Sequence, residues 1–262
     1  MLPSSRRRLR RDSTIRGYRV LVVGVYLSDV EHLAVSITNE LRSTKLLDLT
    51  VAWAAVGKAG VDAELGDCTP VVRHHQTDKF QLVNEVLAGF NLDDFDVLVV
   101  TDDDVTMEPG WLDAYLGYQA VTGLSLAQPA RTGASDISHA ITVQVVGTEV
   151  RETRFVEVGP VFSLDRRAIS LLTPFDEAWP MGWGLDVAWS RQIAQAKLHM
   201  GIIDATPVVH NFRKSAAHYD WRETDEAMKA LLAERNLGNL EDTMEVLRHY
   251  RNGVWRTSRS AR

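Results

Sequence analysis

The sequence predicts an α/β fold with a mostly parallel central sheet and helices on both of its faces. Three observations carry this expectation. The runs "YRVLVVGVYL" (18–27), "LLDLTVAWAAV" (46–56) and "DVLVV" (96–100) are apolar without strict alternation, as strands buried on both faces are. Segments with helical spacing separate them. The alternation of the two persists through the first half of the chain, which is the order of a parallel sheet with crossover helices.

The elements follow in order. After the first strand, "EHLAVSITNELR" (31–42) brings Leu33, Ile37 and Leu41 onto one helical face. "VVRHH" (71–75) is a short strand, and Thr77 or Asp78 stands where a helix cap belongs. The helix "KFQLVNEVLAGF" (79–90) then aligns Phe80, Val83 and Leu87. "EPGWLDAYLGYQAV" (108–121) carries a proline near its start, where a missing N–H costs nothing. Beyond residue 124 the pattern changes. "LSLAQPA" (124–130), "ITVQVVG" (141–147) and "RFVEVGPVFSL" (154–164) read as strands with no long helix between them. "LDVAWSRQIAQA" (185–196) reads as a helix and "MGIIDATPVVH" (200–210) as a strand, and "DEAMKALLAERN" (225–236) and "LEDTMEVLRHY" (240–250) read as closing helices. The expected organisation is a basic, disordered tail over 1–16 and one domain over 17–262. Within it lie a nucleotide-binding half (17–123), an acceptor half (124–215) and C-terminal helices (216–262).

The bulk composition narrows the function. The chain has 262 residues and a formal net charge of −6, so charge gives no hint of a nucleic-acid partner. The arginines of "RRRLRR" (6–11) stand against that balance. They read as a solvated tail, with peripheral contact to an anionic membrane as the functional reading. No apolar region follows them, so no signal peptide is expected, and no apolar stretch is long enough to span a bilayer. With one cysteine, Cys68, the chain forms no internal disulfide, which is compatible with a cytoplasmic location.

The informative stretch is "VLVVTDDDVTMEPGW" (97–111), where an apolar strand runs into Asp102, Asp103 and Asp104. In open α/β sheets ligands sit beyond the carboxyl ends of the strands, where these acids arrive. On an extended backbone Asp102 and Asp104 point one way and Asp103 the other. Two converging carboxylates raise each other's pKa, and a divalent cation removes the repulsion. Hard oxygen ligands suit Mg²⁺ or Mn²⁺, which share a substrate's phosphates. Taken alone, the three acids fit a solvated turn with a helix-capping aspartate equally well.

Two later stretches bear on the choice. "WPMGWGLDVAW" (179–189) flanks Trp183 with Gly182 and Gly184 and sets Asp186 at a helix start. A mobile aromatic wall suits a sugar ring, and Asp186 suits a general base for an acceptor hydroxyl. The bland alternative is a core tryptophan and a helix cap. "IIDATPVVHNF" (202–212) ends a strand at His210, a candidate nitrogen ligand.

Together "TDDDV", "VGPVFSLDRRAISLL", "GWGLD" and "PVVH" resemble, in order and spacing, a glycosyltransferase of the GT-A fold. That fold is a Rossmann-like nucleotide-diphospho-sugar transferase architecture. The phrases "FVEVGPVFS", "GWGLD" and "GIIDATPVVH" are most similar to a poorly characterised GT-A-like family labelled "lysine-ketoglutarate-reductase trans-splicing related". The motif order is also similar to that of the β-1,4-galactosyltransferases. The resemblance covers roughly residues 78–212.

The resemblance implies roles. Asp102 would face the nucleotide ribose or reach the metal through water, with Asp103 beside it. Asp104 would bind the metal directly, and His210 would complete the protein ligands, giving a set of Asp102, Asp104 and His210 for Mn²⁺ or Mg²⁺. Asp186 would be the base of an inverting transfer, and Trp183, with Gly182 and Gly184, would line the sugar or acceptor site. Tyr26, Ser28 and Asp29 follow the first strand, where a GT-A protein holds its nucleotide base. Read from the residues alone, Lys79 suits either a contact with a phosphate or the base or a solvated place on its helix, and Glu157, an inward acid among apolar neighbours, needs a partner, with a role at the acceptor site as its functional reading. One departure is Leu185, which stands where the galactosyltransferase loop has a second acid, so the sugar cannot be carried over.

The expected activity is therefore metal-dependent transfer of a sugar from a UDP- or GDP-sugar to a glycan, lipid-linked or small-molecule hydroxyl. A nucleotidyltransferase is disfavoured by the absence of a "GxGxxRxxK"-like loop after the first strand. A phosphohydrolase of the haloacid-dehalogenase type is disfavoured by the context of its first aspartate. A non-catalytic nucleotide- or glycan-binding protein remains the third reading.

Overall fold

The computed structural model describes residues 4–213 and 221–257. Its elements are α1 (Ser4–Ile15), β1 (Arg19–Leu27), α2 (Ala34–Arg42), β2 (Asp48–Val56), β3 (Val71–Arg73), α3 (Lys79–Leu87), β4 (Val97–Asp102), α4 (Trp111–Thr122), β5 (Leu126–Arg131), β6 (Val150–Thr153), β7 (Val161–Asp165), α5 (Arg166–Leu172), α6 (Leu185–Gln195), β8 (Met200–Val208), α7 (Trp221–Glu234), β9 (Val246–Arg251) and β10 (Val254–Thr257). One sheet joins the strands in the order β10-β9-β6-β8-β5-β7-β4-β1-β2-β3.

The fold is α/β, as expected, and its sheet is mixed. β1 pairs in parallel with β2 and β4, β2 with β3, and β5 with β8. β7 runs antiparallel between β4 and β5, and β6 and β9 are antiparallel to their neighbours. Because β7 reverses direction between them, β4 and β5 point the same way. The carboxyl ends of β1, β2, β4, β5 and β8 therefore share one edge of the sheet, and β7 begins there with Val161 opposite Thr101.

Helices cover both faces. On one, Phe80 of α3, Phe162 of β7, Phe175 and Trp189 of α6 pack ring to ring with centroids 5.1–6.4 Å apart. On the other, Ile15 of α1, Ile37 of α2, Trp53 of β2 and Trp111 and Tyr115 of α4 belong to one buried cluster. Gly24 is required there: a Cβ would stand 2.1 Å from the Trp53 ring, whose Nε1 donates to Thr38 Oγ1 at 2.9 Å.

Four sequence expectations are corrected. Residues of the expected disordered tail form α1, which packs against α4. Ile15 is fully buried, the Arg11 guanidinium lies 4.0 Å from the Tyr118 ring centroid, and Gly117 leaves room for the approach. Arginine and leucine are good helix formers, and packing supplies the rest.

"ITVQVVG" is not a strand, and its place in the sheet falls to β6. Buried Arg151 donates to the carbonyls of Ile141 and Val143, and buried Asp204 accepts from Val145 N–H. Side chains thus satisfy backbone groups that a ladder would otherwise pair.

"LEDTMEVLRHY" is one 3₁₀ turn followed by β9, not a helix. Asn252 and Gly253, both at positive φ, turn the chain into β10, and Tyr250 packs on Trp255. In "RFVEVGPVFSL" only residues from Val161 are strand, since Pro160 has no N–H for a ladder.

Candidate active site

The acids sit where β4 leaves the sheet. Asp102 N–H donates to Pro160 O at 2.8 Å, the last contact before the chain turns. Past that point the alternation of an extended strand no longer holds, and each carboxylate goes its own way. Asp102 pairs with Lys79, the first residue of α3, at 2.5 Å. Gly159 makes room for the pair, since a Cβ there would lie 3.4 Å from Asp102 Oδ2. Asp103 turns inward and is 3 % exposed. It accepts from Leu27 N–H at 2.9 Å and from the Arg213 guanidinium, while its carbonyl accepts from Leu33 N–H. Burial holds the Asp103 carboxyl above its usual range, with Arg213 and Leu27 opposing.

Asp104 meets His210. Thr106 and Val209 exchange backbone hydrogen bonds at 2.9 and 3.1 Å, clipping the acid turn to the exit of β8. His210 Nε2 consequently lies 3.2 Å from Asp104 Oδ1, and Arg213 Nη2 lies 3.4 Å from Asp104 Oδ2. Burial works against ionising Asp104, but His210 and Arg213 outweigh it and lower the pKa.

The ligand set read from the sequence is therefore assembled only in part. Asp104 and His210 are together, while Asp102 is held by Lys79. Among the described residues no group of three or more His, Cys, Asp or Glu side chains is arranged to hold a metal ion. The chain's own cations, Lys79 and Arg213, stand on the acids instead. The two that do meet form a donor set suited to Mn²⁺ or Mg²⁺. Asp104 Oδ1 faces His210 Nε2, His210 Nδ1 is buried without a hydrogen-bond partner, and one carboxylate with one imidazole suffices when a substrate's phosphates complete the shell.

A second cluster adjoins the first. Glu157 lies in the irregular segment before β7 and pairs with Arg131 at the end of β5, Nη2 to Oε2 at 2.7 Å. Arg131 also donates to Asp136 O at 2.8 Å and Gly159 O at 3.0 Å. Glu157 N–H donates to Gln128 Oε1. Burial raises the Glu157 pKa although Arg131 and His210 oppose it. Asp186, in the first turn of α6, is 8 % exposed and accepts from Val187 N–H at 2.9 Å. Burial, with a further contribution from the Glu157 charge, pushes its carboxyl up to about 7.

The glycines of "GWGLD" have a packing role. Gly182 and Gly184 have φ of +84° and +96°. A Cβ would meet Phe80 at 2.3 Å in the first case and Trp179 at 2.4 Å in the second. They seat the loop on the aromatic core, and half-buried Trp183 packs against the same cluster.

Of the residues expected to hold a nucleotide base, Tyr26 belongs to the core. It is fully buried, and its hydroxyl accepts from Asp62 N–H at 3.0 Å. Ser28 is half-buried and donates to Val56 O at 3.2 Å. Asp29 is exposed, and its carboxylate accepts from Lys58 N–H at 2.9 Å and Ala59 N–H at 2.8 Å, which lowers its pKa.

Arg131 and Arg213 were not singled out from the sequence. Arg131 closes β5 in "LAQPAR" and Arg213 lies five residues past β8 in "PVVHNFR", both at the carboxyl edge of the sheet, and that position was the available signal.

No protein-family model matches the chain, and no curated protein matches it significantly. Solved structures do share its fold. Glucosyl-3-phosphoglycerate synthase from Mycobacterium tuberculosis, in complex with Mg²⁺ and UDP, superposes with a TM-score of 0.57 at 14 % identity, over 89 % of this chain and 85 % of that one. Mannosyltransferase PcManGT from Pyrobaculum calidifontis, with GDP-Man and Mn²⁺, gives 0.56 at 15 % identity over 86 % and 65 %. GalNAc-T7, with UDP, GalNAc and Mn²⁺, gives 0.53 at 12 % identity, and the chain spans about half of its length, 53 %. The fold is that of GT-A glycosyltransferases. The narrower family likeness drawn from the sequence phrases finds no support in these comparisons.

Proposed function

We propose that the chain is a metal-dependent glycosyltransferase that moves a sugar from a nucleoside-diphosphate sugar to an acceptor hydroxyl. The carrying observation is the meeting of Asp104 and His210 at the carboxyl edge of a GT-A sheet. The solved structures of this fold named above contain UDP or GDP-Man together with Mg²⁺ or Mn²⁺, which supports the donor class.

In this reading Asp104 and His210 hold Mn²⁺ or Mg²⁺, with Asp102 at the ribose or reaching the metal through water. The cation, when bound, supplies charge stabilisation for the departing diphosphate. Lys79, beside Asp102, adds a positive charge on the same side. Asp186 accepts the proton of the acceptor hydroxyl as that oxygen attacks the anomeric carbon opposite the leaving group, which makes the transfer inverting. A carboxyl near 7 suits that task, because it is substantially ionised at neutral pH and still basic. Glu157 and Trp183 belong to the acceptor side, and Ser28 and Asp29 to the nucleoside side. The acceptor is a glycan, a lipid-linked glycan or a small molecule.

Calorimetric titration of UDP and GDP, each with Mn²⁺ and with EDTA, tests the reading. Binding of one nucleotide that is lost with EDTA and in Asp104→Ala is expected; binding of neither refutes it. The pairing of Lys79 and Arg213 with the acids favours a second reading, a protein that binds nucleotide or glycan without turnover. Metal-dependent nucleotide binding with no product from any nucleotide sugar would establish that one.

A further inference from the structure

Arg213 occupies an unusual place. It lies three residues past His210, and its side chain is 17 % exposed. The guanidinium spans two carboxylates: it donates to both oxygens of Asp103, through Nη1 at 3.2 Å and through a closer Nη2 contact, and Nη2 stands 3.4 Å from Asp104 Oδ2. Nη1 also reaches Glu31 O at 3.3 Å. Asp104 thus faces His210 with one oxygen and a permanent positive charge with the other.

We propose that Arg213 is an internal counter-ion that competes with the divalent cation for Asp104. The inference rests on the metal-site reading above. A cation coordinated by Asp104 must approach a fixed guanidinium in a partly buried place, where repulsion is weakly screened. The binding of metal alone is therefore weak. A diphosphate carries the negative charge that lets both cations remain, so metal and nucleotide bind cooperatively. Asp103, fixed by Leu27 N–H and excluded from solvent, anchors the guanidinium within reach of Asp104.

The test is titration of the full chain with Mn²⁺, reading free Mn²⁺ by electron paramagnetic resonance, with and without UDP or GDP. Arg213→Gln should bind Mn²⁺ alone about ten-fold more tightly than wild type, as expected for removing one unit charge from such a site. The difference should shrink when nucleotide is present. Arg213→Lys, which keeps the charge but loses the fork to Asp103, should shift in the same direction by less, and it serves if the glutamine variant does not fold. Equal or weaker Mn²⁺ binding by a folded variant overturns the proposal. Asp104→Ala separates the two ideas. If it leaves wild-type Mn²⁺ binding intact, the metal-site reading fails. If it abolishes that binding while Arg213→Gln changes nothing, only the counter-ion inference fails.

Discussion

Replacing Asp186 with asparagine should flatten the dependence of stability on pH. Burial raises the Asp186 carboxyl from the usual 3.8 to about 7. At about 1.4 kcal/mol per ten-fold change in proton affinity, that displacement corresponds to about 4 kcal/mol, an upper figure for so buried a group. The sign follows from which state holds the proton more tightly. Here it is the native state. Stability from this group is fully present below about pH 4 and is lost as pH rises through about 7. Asparagine cannot ionise, yet its side-chain oxygen can still accept from Val187 N–H. Urea unfolding of wild type and Asp186→Asn at pH 5 and pH 8 gives the difference directly. The variant should gain on wild type by up to about 2.6 kcal/mol between those values, because part of the full effect is already lost between pH 4 and pH 5, while other carboxylates cancel in the comparison. A wild-type-minus-variant difference that stays constant across that range would refute the reasoning. The same variant should retain nucleotide binding and lose transfer if Asp186 is the base.

Other perturbations test other parts of the structure. Gly24→Ala drives a methyl into the Trp53 ring and should cost about 1–3 kcal/mol, read by thermal unfolding. A loss within error would mean the indole shifts freely. Asp204→Ala leaves Arg151 buried without its bidentate partner at 2.9 Å and should cost about 3–5 kcal/mol, loosening residues 140–146 to proteolysis first. Arg8, Leu9 and Arg10 lie exposed on α1, with Leu9 67 % accessible. Sedimentation with vesicles rich in phosphatidylglycerol should therefore exceed that with phosphatidylcholine alone, and Arg8→Glu with Arg10→Glu should abolish the excess. Equal partition to both vesicle types would rule out this contact. Among the described residues no helix is long and apolar enough to cross a membrane.

The sequence by itself determined the strands that lie between two helical layers. Burial on both faces demands continuous apolar runs, and β1, β2 and β4 carry them. It also determined that three acids stand at the carboxyl end of β4, because strand ends are read from where apolar patterning stops. It held one signal that helical spacing overrode: the Asn252–Gly253 pair, which makes a hairpin of β9 and β10. The direction of β7, which sets β4 and β5 parallel, was decided only by assembly of the whole sheet. So was the partner of each acid. Asp102, Asp103 and Asp104 are alike in sequence, yet one meets Lys79, one Leu27 N–H and Arg213, and one His210. Those partners lie between 23 and 110 residues away along the chain. What a carboxylate does depends on the charge and solvent around it, and those come from the packing of distant elements, which no local pattern records.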